Sequence, residues 1–109
     1  MSVEIANVVH AMGYLNLQVN PTIERGSGLK SIVRVGLGDY EVETDIPLNI
    51  TEGLGFTTLI EGAGQVNVNI RDYGSFAPRN IQLFCLNGSG AAADLGFVQL
   101  VLFRLPTSA

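Results

Sequence analysis

The sequence is short of the residues that do chemistry. It holds one cysteine, one histidine and no tryptophan among 109 residues. A single thiol, Cys85, closes no intrachain disulfide and says nothing of the redox compartment. Catalytic groups meet in space rather than in sequence, but a Ser-His-Asp or Cys-His set here would have to be built around His10 or Cys85. His10 ends the apolar stretch 5–9 and is read as structural or merely exposed. Cys85 sits in Leu83-Phe84-Cys85-Leu86, where a free thiol behaves as a small buried hydrophobe. The expectation is a protein that is not an enzyme and holds no cofactor.

Charge is also scarce, and it excludes two classes of partner. Charged residues make up 15% of the chain, where about 25% is usual. The six lysines and arginines are scattered from Arg25 to Arg104, and the net charge is −4. A nucleic-acid partner needs a positive face to displace counterions from phosphates, so none is expected. No apolar run approaches the roughly 20 residues that span a bilayer; the longest, 95–105, is interrupted by Gln99 and Arg104. The opening Met-Ser-Val-Glu lacks a basic segment followed by an apolar one, so no membrane partner and a cytoplasmically made product are expected.

Other patterns read more simply than they first look. Glu41, Glu43 and Asp45 share one face of a strand but stand about 7 Å apart in a line, which suits solvent better than a calcium ion. None of the glycine-rich loops fits a Walker or dinucleotide fingerprint. Asn49-Ile50-Thr51 and Asn87-Gly88-Ser89 match the glycosylation sequon only formally. No metal site is expected.

What the chain has in quantity is glycine and apolar side chains: 13 glycines, and 47% hydrophobic residues. A domain this short has much surface for its volume, so many apolar residues with few charges are hard to hide within one copy. The surplus is expected between subunits. Apolar residues alternate with polar ones at Tyr40, Val42, Thr44 and Ile46, at Val66, Val68 and Ile70, and at Leu15, Leu17 and Val19, the period of half-buried strands. Residues 29–35 form a fourth run. Residues 81–86 and 97–105 are apolar on both faces and belong in the sandwich interior or at a subunit contact, which makes Phe84, Leu86, Phe97, Val101 and Phe103 candidate oligomer-interface residues.

Glycine clusters at 26–28, 36–39, 53–55, 62–64 and 87–90 read as turns, and helix is confined to a single turn near 49–53. Seven or eight short strands with frequent turns predict an all-β fold: a single-domain antiparallel β-sandwich, jelly-roll-like, over residues 11–109, with residues 1–10 as an N-terminal arm or edge strand. In that arm, Val3, Ile5, Val8 and Val9 are candidates for adding a strand to a partner. Asp72, Tyr73 and Phe76, around a polar loop, form a candidate sugar-binding platform, although a tyrosine anchoring a turn is the more frequent arrangement.

The order of these segments resembles small bacteriophage structural and fibre domains. The carrying pattern is Gly26-Ser27-Gly28, the run 29–35, then Gly36-Leu37-Gly38-Asp39-Tyr40-Glu41-Val42, with the strands at 66–70 and 81–86 and the stretch from Asp94 to Arg104 similar to the closing half. The layout is also similar, more distantly, to the trimeric jelly rolls of the complement-head and tumour-necrosis-factor type. The resemblance implies a homotrimer carried on a virion, with the major capsid protein or another virion protein as partner. A fibre protein of this kind carries a long shaft, and only about ten residues precede the first strand here. A capsid decoration or cement protein is therefore the expected role, with a tail-fibre carbohydrate-binding module as the alternative.

Overall fold

A computed structural model of the chain describes residues 9–46, 54–71 and 80–104. They form eight strands: β1 (Val9–Leu17), β2 (Thr22–Ser27), β3 (Leu29–Gly36), β4 (Asp39–Thr44), β5 (Leu54–Ile60), β6 (Gln65–Arg71), β7 (Asn80–Leu86) and β8 (Gly96–Arg104). The first sheet has the order β2-β1-β8-β5 and the second β3-β4-β7-β6, and every neighbouring pair is antiparallel. The two sheets pack face to face, so the expected all-β sandwich is the fold.

The connections follow from where the chain can bend. β5 pairs with β8 in the first sheet while β6 pairs with β7 in the second, so β5 to β8 form one long hairpin folded across the sandwich in the manner of a jelly roll. β2 and β3 are a strand of the first sheet and a strand of the second separated only by Gly28, whose φ of 80° is open to glycine at no steric cost. A Cβ there would lie 2.9 Å from the His10 carbonyl oxygen.

Alternation decides what is buried. Ala11, Leu15, Leu17, Val98, Leu100 and Leu102 face inward from the first sheet, and Tyr40, Val42, Val66, Ile81, Leu83 and Cys85 from the second. Each fully buried leucine contributes about 1.5–3 kcal/mol by leaving water. That sum is set against chain entropy, so the core has little to spare.

Several expectations need correcting. Ile46 and Val19 continue the alternation in sequence but are 67% and 66% exposed, because β4 stops at Thr44 and β1 at Leu17. The glycines at 26–28 and 53–55 are not simple turns: Gly26 and Ser27 lie in β2, and Leu54 and Gly55 in β5. Within one chain the segments 81–86 and 97–104 do not lie wholly in the sandwich interior: each puts one face in the core and leaves the other half-buried or exposed, which keeps the subunit-contact alternative open. The sandwich also begins before residue 11, since Val9 and His10 belong to β1 and Val9 pairs with Phe103. The single helical turn expected near 49–53 lies outside the described residues.

Candidate functional site

The outer face of the first sheet carries Met12, Leu59, Phe97, Val101 and Phe103 among polar Arg25, Ser27, Thr57 and Gln99, and the register shows how it is assembled. Residues paired across antiparallel strands point the same way. Met12 pairs with Ser27 on one side and Val101 on the other, and Val101 pairs in turn with Thr57. Two residues along, Tyr14 lies between Arg25 and Gln99, and Gln99 is opposite Leu59. Phe97 and Phe103 extend the same face at its two ends. Leu59 is 62% exposed and Met12 40%.

Two features organise this face. Phe103 lies over Gly55 so closely that a Cβ at Gly55 would lie 2.4 Å from the ring, so the absent side chain in β5 is what gives the ring its seat. Tyr14 stacks at 5.3 Å from the Phe97 ring and carries the Arg25 guanidinium 5.4 Å from its own centroid. The Tyr14 hydroxyl donates to Glu61 Oε1 at 3.3 Å, and the loss of hydration together with the Glu61 charge raises its pKa. Between the Met12 and Tyr14 rungs, Gly13 faces Gly26 and Leu100 in register, leaving an open depression of about 390 Å³ floored by their backbone.

The five residues expected at one oligomer interface are divided between two surfaces. Phe97, Val101 and Phe103 share the outer face of the first sheet, whereas Phe84 and Leu86 lie on the outer face of the second. Val33, in register with Glu41, is also more than half exposed on that second face, and the rest of it is largely polar. Asn80 Nδ2 donates to Glu41 Oε1 at 2.7 Å, Gln82 Nε2 to Asp39 Oδ1 at 3.1 Å, and Gln65 Nε2 to Asn67 Oδ1 at 2.6 Å. Glu43 takes a long ion pair from Lys30 at 3.7 Å. Asp45 falls beyond β4, so the three carboxylates do not continue as one ladder.

The residues weighed for catalysis have structural work. The His10 Nε2–H donates to the Ile46 carbonyl at 2.8 Å, tying the start of β1 to the end of the β4 segment. Cys85 is fully buried, and burial pushes its thiol up to about 12, far from a nucleophile's range. Among the described residues no three His, Cys, Asp or Glu side chains gather as a metal site. Of the other candidates, Val3, Ile5, Val8, Asp72, Tyr73 and Phe76 lie outside the described residues.

One cluster was missed by sequence reasoning. Asp94 Oδ1 accepts from the Tyr40 hydroxyl at 2.6 Å and from the Gly38 N–H at 3.0 Å, while Arg34 donates through Nη2 to Oδ2 at 3.0 Å and through Nε to Oδ1 at 3.3 Å. The Gln18 carbonyl, 3.1 Å from the Tyr40 oxygen, is a second acceptor for the same proton. Burial by itself would raise the Asp94 carboxyl, but the bonds from Arg34, Tyr40 and Gly38 outweigh it and hold the group below the usual carboxylate range. Burial, reinforced by the Asp94 charge, pushes the Tyr40 phenol well up. The partners are 54 to 60 residues from Asp94 along the chain, so no local motif marks them. The one available signal was a lone charge in Ala91-Ala92-Ala93-Asp94-Leu95.

No protein-family model matches the chain, and no curated protein and no solved structure matches it.

Proposed function

We propose that the protein is a non-enzymatic structural domain of a bacteriophage virion, a homotrimeric capsid decoration or cement protein that works by associating with itself and with the capsid exterior. The observation that carries the self-association is the outer face of the first sheet, where Met12, Leu59, Phe97, Val101 and Phe103 stand on one surface of a small sandwich. These apolar side chains share one face of a small domain, with Gln99 and Thr57 between them, and their gathering there supports a contact. The virion assignment rests on the resemblance of the segment order in the sequence to phage structural and fibre domains. A protein that binds only the assembled shell stabilises it by mass action, repeated over symmetric sites.

Sedimentation equilibrium at micromolar concentration tests the first step. Three times the chain mass of 11.6 kDa is expected, and single copies at that concentration would remove the reading. Co-sedimentation with phage capsids from which the decoration protein has been stripped tests the second step, with retention by shells and not by free capsid subunits expected.

The tail-fibre carbohydrate module has one observation in its favour: the amide and carboxylate row of Asn67, Asn69, Gln82, Asn80 and Glu41 on the outer face of the second sheet. Several of these groups already satisfy one another, which weakens them as ligand donors. Glycan-array binding lost on Tyr73→Ala would favour that module over the shell protein.

A further inference from the structure

We infer that Asn87-Gly88, in the connection between β7 and β8, is a self-modifying site: the Gly88 backbone nitrogen attacks the Asn87 side-chain amide, ammonia leaves, and the residue ends as aspartate or isoaspartate. The reaction needs one copy of the chain only, whatever its assembly.

The sequence singles out this position. Seven of the eight asparagines are followed by valine, isoleucine, leucine or proline. A branched side chain on the next residue screens its backbone nitrogen, and proline has no N–H to give up. Only Asn87 is followed by glycine, which has no Cβ to screen it.

The turn supplies the rest. The Gly90 N–H donates to the Asn87 carbonyl at 3.0 Å and the Asn87 N–H to the Ala91 carbonyl at 2.8 Å, so the backbone doubles back over residues 87–91. Inside it, Asn87 Oδ1 accepts from the Ser89 N–H at 3.0 Å, from the Ser89 hydroxyl at 2.7 Å and from the Ala91 N–H at 3.1 Å. The bond from the Ser89 N–H closes a ring that contains both Cγ and the Gly88 nitrogen, and so curls the two reacting atoms toward each other. The Gly88 N–H donates to no group among the described residues, and the Asn87 amide nitrogen finds no acceptor there either. Residues 88–91 are exposed, so hydroxide and water reach the peptide.

The step balances with water as the only co-reactant. A base takes the Gly88 proton, the nitrogen bonds to Cγ, and the electron pair of the amide C=O moves to Oδ1. The three donors on Oδ1 stand where that negative charge develops, the arrangement of an oxyanion hole. The pair then returns, ammonia leaves from Cγ with a proton from solvent, and a five-membered imide remains. Water opening it at Cγ gives aspartate, and opening it at the backbone carbonyl gives isoaspartate. Either product makes the chain one unit more negative than its −4. Isoaspartate also runs an extra carbon through the backbone of a turn whose next anchor is the Ala93 N–H on the Cys85 carbonyl at 3.0 Å, beside the Asp94 carboxylate that holds Tyr40.

The test keeps the whole folded chain at pH 8 and follows each asparagine by peptide mass mapping, with isoaspartate counted by an isoaspartyl methyltransferase. Asn87 alone is expected to convert, and Gly88→Ala is expected to slow it at least about tenfold by screening the nitrogen. That variant keeps its turn, since Gly88 has no positive φ and its Cβ would meet only the Ala63 methyl at 3.3 Å. Ser89→Ala removes one donor from Oδ1 and is expected to slow the folded chain at least about threefold, the worth of one hydrogen bond, with no change in the urea-unfolded chain. An Asn87 that survives in the folded chain but converts in urea overturns the inference, because the turn then protects the amide. A folded Ser89→Ala chain that converts as fast as the wild type overturns the part given to the turn's donors.

Discussion

The hydroxyl of Tyr40 and the carboxylate of Asp94 meet at 2.6 Å, joining the floor of the second sheet to the connection between β7 and β8. Tyr40 is fully buried, so its hydroxyl has lost water and relies on Asp94 and the more distant Gln18 carbonyl. The carboxylate also gathers Arg34 and the Gly38 N–H, and one side chain thus orders three donors from two strands and a turn.

Removing either partner should therefore be costly, and unequally so. Tyr40→Phe deletes one hydrogen bond to a charged group and is expected to lose about 1.5–3 kcal/mol. Asp94→Ala leaves Arg34 and the Gly38 N–H without this acceptor and the Tyr40 hydroxyl with only the Gln18 carbonyl, and is expected to lose about 2–4 kcal/mol. Urea unfolding of the two single variants and the double variant should give a coupling energy above about 0.5 kcal/mol, and additive losses would show that the contact carries no energy of its own.

Acid should weaken the same clasp. The folded pKa of Asp94 is depressed below its ordinary value, so its contribution is complete above roughly pH 4 and is lost as pH falls through the lower folded value. Stability of the wild type is expected to drop across that acid window more steeply than that of Asp94→Asn. Parallel acid limbs in the two proteins would show that Asp94 is not responsible.

Cys85 should be chemically silent until the fold opens. With its thiol buried and pushed up to about 12, labelling by a disulfide reagent at pH 8 is expected to run at least about a thousandfold slower than in the urea-unfolded chain. Cys85→Ser, which puts a hydroxyl where no polar partner is arranged, is expected to destabilise by about 1–3 kcal/mol. Rapid native labelling would mean that the β4–β7 core opens readily.

Two glycines in one hairpin should respond in opposite ways. Gly38 has a φ of 70°, and a Cβ there would lie 2.6 Å from the Cys85 carbonyl oxygen and 2.9 Å from the Ala93 nitrogen. Gly38→Ala adds the cost of a left-handed backbone, about 1–2 kcal/mol, to that collision. Gly36 has open space around its Cβ position and no positive φ, so Gly36→Ala is expected to be neutral or to stabilise by about 0.5–1 kcal/mol. Thermal denaturation of the pair checks both signs.

How much of this was legible in the sequence depended on whether the information was local. The inward set Tyr40, Val42 and Thr44 follows from a period of two and was readable, and Cys85 was read as buried, whereas the alternation of Ile81, Leu83 and Cys85 was hidden by the apolar Phe84 and Leu86 between and after them. Ile46 and Val19 carried the same signal and are exposed, because a strand ends where its neighbour stops pairing, and the partner is not in the local sequence. β2 (Thr22–Ser27) escaped notice because Glu24, Arg25, Gly26 and Ser27 are all exposed on an edge strand and leave no alternation to read. The apolar character of the segments 81–86 and 97–104 was plain, but whether Phe84 and Phe97 share a surface depends on which sheet each strand joins, and they do not. The Asp94 clasp was invisible for the same reason, being assembled from groups with no common motif.

The passage of one ribbon from the first sheet to the second at Gly28 ties the fate of the two layers together. The Asp45 N–H donates to the Gly28 carbonyl at 2.8 Å, so the bend is held from the β4 side as well as by the chain itself. Sliding one layer over the other would wrench a continuous backbone through a position where only glycine sits comfortably. Melting should accordingly run through both layers as one event, and a load applied to either would be shared across the whole domain.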